Sequence, residues 1–223
     1  LASDGFTDLV AGISGLKSIE CRSTCKNFTT IDGALFSKDG TELVFCPADK
    51  VAEVYTVPAE VRKIGDYSFK DNVGVKSVVF ADADKDLEIG QYAFQNSSIE
   101  SVTLPDRLVS IALYAFSGCA SLKTVTFGDS CKLSTIGDRA FEKCASLTEI
   151  SIPDLTTSIG IYAFSECSLL KNVNFSENSQ LINIGQNAFR SCAALVEFTA
   201  PKTLVNLGKP STTDTVLVTT SSY

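Results

Sequence analysis

The residues of this chain that could do chemistry are eight cysteines and 26 acidic side chains, in a sequence of 223 residues that contains no histidine. Without histidine, the Ser-His-Asp and Cys-His nucleophile systems and the usual zinc sites are excluded. Four cysteines recur at intervals of 23 to 25 residues, each three residues after a phenylalanine; they are Cys119, Cys144, Cys167 and Cys192. Tetrahedral metal ligation needs side chains that converge on one point, and such a row does not, so we expect no metal and no cofactor.

The same spacing runs through the hexapeptide I-G-x-x-A-F, whose six copies have phenylalanines 22 to 25 residues apart. Four copies match the pattern fully, while Ser68 replaces the alanine in the first copy and Ala112 the glycine in the third. The phenylalanines are Phe69, Phe94, Phe116, Phe141, Phe164 and Phe189. After each copy comes a short alternation of apolar and polar residues, such as V-T-L or I-S-I, which is typical of a strand. A unit this short cannot bury its own apolar side, so successive units must stack and share one core. The repeat therefore predicts a solenoid with parallel strands about 4.8 Å apart.

The repeat units alternate between two classes. One class carries a proline turn after the strand, at Pro58, Pro105, Pro153 or Pro201. The other carries a longer polar loop, at Ala81–Asp86, Gly128–Lys132 or Ser176–Gln180. We expect the longer loops to lie along one edge of the solenoid on every second coil. They would form either a recognition rim or solvated loops that tolerate insertion.

The combined pattern A-F-x-x-C-x-x-L-x-x-V-x-I-P-x-x-V-x-x-I-G, followed in phase over residues 69–208, resembles the BspA-like subfamily of leucine-rich repeats. The resemblance covers nearly everything from about residue 10 to residue 208. It implies a leucine-rich repeat solenoid of α/β-type repeats with mostly short parallel strands and an irregular or 3-10 convex side. We expect a right-handed coil with about seven to eight repeats.

The chain divides into four segments according to where the repeat pattern is followed in phase. We expect an N-terminal partial repeat or cap over 1–30, an irregular hairpin unit over 31–58, regular repeats over 59–208, and a cap or frayed end over 209–223. The K-D-G-T turn at 38–41, between two apolar runs, independently predicts a β-hairpin. The segment GLKSIEC at 15–21 matches one further strand, in which Cys21 would point inward.

The four cysteines of the row have two interpretations. The even cysteine count would suit disulfides in a secreted protein. The shared repeat slot instead favours reduced thiols that donate weak hydrogen bonds to backbone carbonyls at a coil corner, and we expect a structural ladder at Cys119, Cys144, Cys167 and Cys192. Cys25, Cys46 and Cys131 lie off this row, and a bridge between Cys25 and Cys46 would tie the N-terminal segment to the hairpin.

The acidic residues do not assemble into a catalytic pattern. Polysaccharide cleavage needs paired carboxylates, whereas Glu149 and Glu197 would lie two coils apart, about 10 Å. The aspartates of 82–86 imitate the start of a calcium loop, but its sixth and twelfth positions hold Leu87 and Ala93. No P-loop or dinucleotide motif is present. The sequence predicts a protein that is not an enzyme.

Strand parity predicts an outward polar face. The residues that we expect to bind a partner there are Ser77, Ser101, Thr103, Thr124, Thr126, Glu149, Ser151, Asn172, Asn174, Glu197 and Thr199. In leucine-rich repeat proteins this face commonly takes the partner, and the alternative is a merely soluble sheet. A second surface row is Tyr67, Tyr92, Tyr114 and Tyr162, interrupted by Arg139 and Asn187. Exposed tyrosines would suit protein or glycan recognition, but we favour rings that pack over the core.

The net charge, the apolar runs and the targeting signals limit the kinds of partner and location that the sequence allows. The net charge of −7 argues against nucleic acid and anionic membrane surfaces. No apolar run is long enough to span a bilayer. The chain begins with Leu1 and shows no signal or anchor, so we expect a fragment of something larger. The sequon at Asn27 is the best glycosylation candidate if the chain is exported from a eukaryote.

The resemblance implies adhesion, because members of this family occur on mucosal bacteria and protist parasites, where they bind host matrix proteins or other cells. We therefore predict a cell-surface or secreted leucine-rich repeat protein that binds a host matrix or cell-surface protein through its strand face. One alternative is an intracellular scaffolding repeat protein, which reduced cysteines would fit. Another is a glycan-binding module along the tyrosine row.

Overall fold

The computed structural model describes residues 15–50, 52–208 and 217–220, which form a solenoid of strands and turns with no helix in those residues. The chain makes about seven turns, which we call coils, and the predicted stacked solenoid is confirmed. In chain order the strands are β1 (Phe28–Ile31), β2 (Ala34–Ser37), β3 (Glu42–Phe45), β4 (Ala52–Val57), β5 (Lys63–Ile64), β6 (Val75–Phe80), β7 (Leu87–Ile89), β8 (Ser101–Leu104), β9 (Leu108–Ile111), β10 (Thr124–Phe127), β11 (Thr135–Ile136), β12 (Glu149–Ser151), β13 (Ser158–Ile159), β14 (Asn172–Asn174), β15 (Asn183–Ile184), β16 (Glu197–Ala200), β17 (Asn206–Leu207) and β18 (Leu217–Thr220).

One side of the solenoid is a continuous ten-stranded sheet, the lateral sheet, in the order β1-β2-β3-β5-β7-β9-β11-β13-β15-β17. Its first three strands are antiparallel, and the K-D-G-T turn between β2 and β3 confirms the predicted hairpin. From β3 onward each strand pairs in parallel with the next, so the isoleucine of every I-G motif lies beside its counterpart in the neighbouring coil. Most of these strands have only two or three residues.

The other strands form a second side, the strand face, which consists of three separate sheets. Four strands pair in the order β10-β8-β6-β4, and the pairs β12–β14 and β16–β18 follow. All of these pairings are parallel and nearly in register, for example Thr126 with Thr103 and Ser151 with Asn174. The strand face therefore presents like positions of successive coils as rows of side chains.

The corner that joins the strand face to the lateral sheet is filled by the phenylalanines of the repeat. Neighbouring rings stack almost parallel, with centroids 4.7 to 5.4 Å apart from Phe69 through Phe189. Five of the six rings are completely buried, and the sixth, Phe189, is 8% exposed. Tyr55 closes the N-terminal end of the stack by packing edge-on against Phe69. The spacing of the rings is close to that of neighbouring strands, as the predicted stacking of successive units requires.

Backbone hydrogen bonds between coils run along the same corner. In one coil, the N–H groups of Tyr92, Phe94 and Asn96 donate to carbonyls of the next coil at 3.0, 2.7 and 2.9 Å. Tyr92 and Asn96 both have a φ of 56°, in the left-handed region. The equivalent residues of every coil from Tyr67 to Ser191 share this conformation. These two left-handed residues belong to the turn that directs the three N–H groups toward the following coil. The hydrogen bonds that form there offset the strain of the left-handed residues.

The glycine of I-G is favoured by close approach between coils. Its N–H donates to the isoleucine carbonyl of the coil before, as between Gly160 and Ile136 at 2.8 Å. A Cβ built on Gly160 would lie 2.5 Å from the backbone nitrogen of Asp138, so glycine relieves a clash there. Ala112 takes the glycine position in the third copy and donates to the Ile89 carbonyl at 3.0 Å, so the local backbone accommodates a methyl group in that coil.

The strand predicted over residues 15–21 is wrong, because the segment forms no strand. The lateral sheet begins with the antiparallel pair β1–β2, and the segment reaches the turn of this pair through one backbone hydrogen bond, from the Ile19 N–H to the Gly33 carbonyl at 2.8 Å. Leu16, Ile19 and Cys21 instead pack on a small cluster formed by Leu35, Val44 and Phe45, apart from the main core. The predicted segment 209–223 falls largely outside the described residues, and the division at residues 30, 58 and 208 stays a prediction.

Removing one ring from the stack should be costly. We expect Phe141→Ala to lower the free energy of unfolding by about 3–5 kcal/mol, because it leaves a cavity between two rings. Val196→Ala, at a side chain 73% exposed, is the control and should change stability by about 0.5 kcal/mol or less. Urea denaturation followed by circular dichroism measures both variants. Equal effects would contradict the buried stack.

The hairpin turn predicts an unusually acidic carboxyl group. Asp39 accepts hydrogen bonds from the Ser37 hydroxyl at 2.7 Å, and from the Thr41 N–H and hydroxyl at 3.1 and 2.8 Å. These bonds lower the pKa of Asp39 from 3.8 to about 2. The carboxylate therefore supports the folded hairpin above about pH 4, and this contribution is lost as the pH falls toward 2. We expect an NMR titration midpoint near 2 and a rise toward 3.8 in Ser37→Ala; a wild-type midpoint near 3.8 would refute the turn geometry.

Candidate functional site

The four cysteines of the predicted ladder occupy one slot at the coil corner. All four are buried free thiols, and each S–H lies 2.9 to 3.2 Å from a phenylalanine carbonyl of an earlier coil. In the first regular coil Asn72 fills the slot, where it donates to the Pro47 carbonyl at 2.7 Å and accepts from the Val75 N–H. Ser97 fills the next and contacts the Cys119 sulfur at 3.4 Å.

Burial makes the ladder thiols unreactive. Desolvation raises the pKa of Cys119 to about 12 and keeps the pKa of Cys144 well above its ordinary value. The thiolate is the nucleophile and the metal ligand, so these side chains offer hydrogen bonding and packing rather than chemistry. In the part of the chain that the structure describes, no group of three or more His, Cys, Asp or Glu side chains is placed to hold a metal ion.

The tyrosine row forms a ladder of stacked rings, the tyrosine ladder. Tyr67, Tyr92 and Tyr114 stack face to face, with centroids 4.9 and 5.0 Å apart. Arg139 continues the ladder, with its guanidinium 5.6 Å from the Tyr114 ring centroid and 4.4 Å from that of Tyr162. The guanidinium also pairs with Glu142 at 2.7 Å. The interruption of the tyrosine row is therefore a cation–π link rather than a gap.

This stacking leaves little aromatic face for a ligand. The flat faces of Tyr67, Tyr92 and Tyr114 are turned toward each other, and Lys70 lies 5.6 Å from the Tyr67 ring centroid at the N-terminal end. At the other end the Asn187 side chain donates to the Tyr162 hydroxyl at 2.8 Å. Sugar rings bind aromatic side chains through those faces, so the tyrosine ladder fits a structural layer over the core better than a glycan site.

The strand face carries the more open surface, and its pairing follows the loop class. Where a coil ends in a proline turn, the next strand pairs over its length, as for β8 with β10 and β12 with β14. Where a coil carries a longer loop, the pairing is reduced to two residue pairs between β6 and β8, and no backbone ladder joins β10 to β12 or β14 to β16. The longer loops thus separate neighbouring strands on every second coil, whereas the lateral sheet stays continuous.

An open cleft lies at each of these three seams. The central cleft, between β10, β12 and β14, has a volume of about 820 Å³. The N-terminal cleft, beside β6 and β8, has about 480 Å³, and the C-terminal cleft, beside β14 and β16, has about 300 Å³. Because the seams recur on every second coil, the clefts follow one another at about 10 Å intervals.

Each cleft contains a half-buried phenylalanine at the end of the strand that precedes a longer loop. Phe80 lines the N-terminal cleft, Phe127 the central cleft, and Phe175 both the central and the C-terminal clefts. In the coils with proline turns the same strand position holds a buried Val57, Leu104, Ile152 or Ala200. Parity assigns these phenylalanines to the interior, so they are absent from the predicted binding residues. The signal that could have found them is visible in the sequence, because a terminal Phe occurs only where a longer loop follows.

Most of the predicted binding residues line the clefts. Thr126, Glu149, Ser151 and Asn174 line the central cleft, Asn172, Asn174, Glu197 and Thr199 the C-terminal cleft, and Thr103 the N-terminal cleft. Ser77 and Ser101 lie outside the clefts and bond to each other at 2.9 Å. Thr124 is exposed on β10 outside them as well. Asn27, the predicted glycosylation residue, is exposed on the segment that leads into β1.

The clefts are acidic. Their walls carry Asp82, Asp84, Asp106, Asp129, Glu149, Asp154 and Glu197. The one basic residue among the lining residues is Arg107, whose guanidinium turns inward and donates to the carbonyls of Val61 and Lys85 at 2.8 and 3.1 Å. The carboxylates of the clefts form no ion pair within the described residues, so their charge is available to a partner.

The repeat geometry agrees with a family assignment. The sequence matches the family model of the BspA type leucine rich repeat region, in six copies over residues 87–214, which is more than half of the chain. The chain belongs to the BspA-type leucine-rich repeat family. Within this family the repeat is a strand-based module that commonly binds proteins, and the fold is a typical non-enzymatic scaffold.

Solved structures of bacterial leucine-rich repeat proteins share the fold. One from Eubacterium ventriosum matches with a TM-score of 0.70 at 22% identity, over 86% of this chain and 51% of that chain. One from Bacteroides ovatus matches with a TM-score of 0.61 at 30% identity, over 74% of this chain and 44% of that chain. A leucine rich cell surface protein from Faecalibacterium prausnitzii matches with a TM-score of 0.60 at 26% identity, over 68% of this chain and 40% of that chain.

The BspA-type chain spans about half of the Eubacterium ventriosum protein and less than half of the other two. No curated protein matches it. Its described residues include no helix with the length and apolar character needed to cross a bilayer.

The stacking in the tyrosine ladder predicts that the ring of Tyr92 contributes to the stability of the fold and that its hydroxyl group contributes little. We expect Tyr92→Phe to keep the free energy of unfolding within about 1 kcal/mol, because the stacked ring is retained, and Tyr92→Ala to lower it by about 2 kcal/mol. Thermal unfolding measures both variants. A glycan array run beside it tests the alternative: loss of a glycan signal in Tyr92→Ala with unchanged stability would contradict the structural interpretation.

Proposed function

We propose that this BspA-type chain is a non-enzymatic recognition module that binds a protein partner through its strand face. The observation that supports this most directly is the row of three clefts, each built from a half-buried phenylalanine, polar strand residues and carboxylates. A mixture of apolar floor and polar rim is the usual anatomy of a protein-binding surface.

The charge of the clefts defines the partner's chemistry. Carboxylates such as Asp129, Glu149 and Asp154 line the same cleft as the rings of Phe127 and Phe175. They form no ion pair with another described residue. A lysine or arginine side chain could lay its aliphatic stem on the phenylalanine and place its charge at the carboxylates. The partner we propose is a protein that presents exposed basic side chains to this face.

The biological setting we propose is adhesion by a cell-surface or secreted protein, with a host matrix or cell-surface protein as the partner. Support comes from the family and from the Faecalibacterium prausnitzii relative, which is described as a cell surface protein. Because each coil is fixed by its neighbours, the strand face is ordered before binding and loses little entropy on contact. Several clefts in a row, and several copies on one surface, would add affinity by avidity.

The test is binding of purified matrix proteins, such as fibronectin, fibrinogen, laminin and collagen, to the immobilised chain by surface plasmon resonance. We expect saturable binding to at least one of them, weakened by salt because exposed charge pairs are screened. Thr126→Arg, in the central cleft, should weaken binding by about 10-fold or more, because it adds bulk and positive charge where the partner docks.

The matched control is Thr135→Arg. Thr135 belongs to the same coil as Thr126 and is also an exposed strand residue, but it lies on the lateral sheet. Binding by Thr135→Arg should stay within about two-fold of wild type. Failure of the wild-type chain to bind any matrix protein would exclude this partner class, and equal loss in the two variants would exclude the strand face.

A further inference from the structure

The three clefts of the strand face recur with a single period. Phe80, Phe127 and Phe175 lie at the ends of β6, β10 and β14, the strands of every second coil. At the corner, the stacked rings of neighbouring coils are 4.7 to 5.4 Å apart. Each cleft is therefore separated from the next by about 10 Å, and the row of three extends about 20 Å along the solenoid.

Each cleft offers the same two kinds of contact. Its phenylalanine supplies a half-buried aromatic surface, and carboxylates supply negative charge. Asp84 lines the N-terminal cleft, Glu149 the central cleft and Glu197 the C-terminal cleft. These three side chains are exposed and form no ion pair with another described residue. A ligand that carries an apolar stem and a cation at intervals of about 10 Å would match all three clefts.

The interval between like side chains of a peptide depends on its conformation. In a β-strand, side chains on one face recur every two residues, so their separations are about 6.6 or 13 Å and miss the period of the clefts. In a polyproline II helix every third side chain lies on the same face, after a rise of about 9.3 Å. An α-helix returns to the same face after seven residues, or about 10.5 Å. Two of the three conformations therefore match the clefts.

The polar side chains of the central cleft favour the polyproline II helix. Thr126, Ser151 and Asn174 are exposed in that cleft, and their hydroxyl and amide groups can bond to the backbone of a ligand. A polyproline II segment has no internal hydrogen bonds, so its carbonyls are available, whereas the carbonyls inside an α-helix are already paired. Proline-rich segments in this conformation also dock in grooves lined by aromatic side chains, such as those of the clefts.

We propose that the strand face binds a proline-rich segment of its protein partner, in polyproline II conformation, with lysine or arginine at every third residue. The segment lies along the solenoid axis, and three successive basic side chains enter the three clefts. Their aliphatic stems pack on the phenylalanines and their charges meet the carboxylates. A segment of about seven residues reaches from the first cleft to the third. Because the segment occupies the same clefts, this inference rests on the proposed function of the strand face.

Fluorescence polarisation with labelled twelve-residue peptides tests the period. One peptide repeats Lys-Pro-Pro four times. Its matched control, KPKPPPPKPKPP, has the same composition and charge, but no two of its lysines are three or six residues apart. We expect the regular peptide to bind the wild-type chain at least about 10-fold more tightly, because only its lysines enter several clefts together. A stapled, alanine-based helical peptide with lysine at every seventh residue should bind at least about 10-fold more weakly than the regular peptide.

Substitutions in the central cleft test where the peptide lies. Glu149→Lys should weaken binding of the regular peptide by about 10-fold or more, because it places a positive charge in the cleft. Phe127→Leu keeps an apolar side chain but removes the ring, and should weaken binding by about 3-fold or more. The matched control is Glu88→Lys, the same change at an exposed residue of β7 on the lateral sheet, and its affinity should stay within about two-fold of wild type.

Each part of the proposal has its own overturning result. Equal affinity for the two proline-rich peptides would overturn the period, and tighter binding of the helical peptide would overturn the polyproline II conformation. Equal loss in Glu149→Lys and Glu88→Lys would overturn the placement in the clefts. If a matrix protein binds and Thr126→Arg weakens it, while no peptide binds, the proline-rich partner is overturned and the proposed function stands. If the regular peptide binds and no matrix protein does, the proline-rich partner is supported and only the matrix setting fails.

Discussion

The hydrogen bonds at the coil corner are the constraint on which the rest of the molecule depends. Three N–H groups in each coil must reach carbonyls of the next, and two left-handed residues per coil turn them in that direction. Once the corners are fixed in this way, the phenylalanines beneath them stack at one strand spacing. The buried thiols then donate to the phenylalanine carbonyls, each of which also accepts a backbone N–H from three residues further on. The tyrosines above the corner are brought ring to ring.

The two sheeted sides respond differently to changes of coil length. On the lateral sheet the I-G motif holds each coil to the one before through a backbone hydrogen bond, such as that from Gly160 to the Ile136 carbonyl. The coils approach so closely there that a Cβ on Gly160 would collide with backbone. On the strand face, longer loops such as Gly128–Lys132 separate the strands without disturbing the corner. The variable surface of the repeat is therefore on one side, and it is there that apolar rings, hydroxyls and carboxylates meet in the clefts.

Much of this could be predicted from periodicity, because the repeat places the same residue in the same environment six times. Phe94 and Cys144 were assigned from spacing alone, and parity placed Thr126 and Ser151 on the outside. Strands as short as Thr135–Ile136 carry no alternation to detect, so the lateral sheet was not foreseen. Parity assigns Phe127 to the interior. Its partial exposure could not be predicted, because it depends on how far a loop separates two strands.

The corner hydrogen bonds also give that edge of the solenoid an electrical direction. Each peptide unit has a dipole of about 3.5 D, and the three per coil at the corner place their N–H end toward the later coils. Elsewhere in the coil other N–H groups point the opposite way, as from Gly160 to the Ile136 carbonyl and from Lys171 to the Thr148 carbonyl, both in the coil before. The corner and the two sheeted sides therefore carry dipoles of opposite sense, which oppose each other at a distance and differ close to each surface.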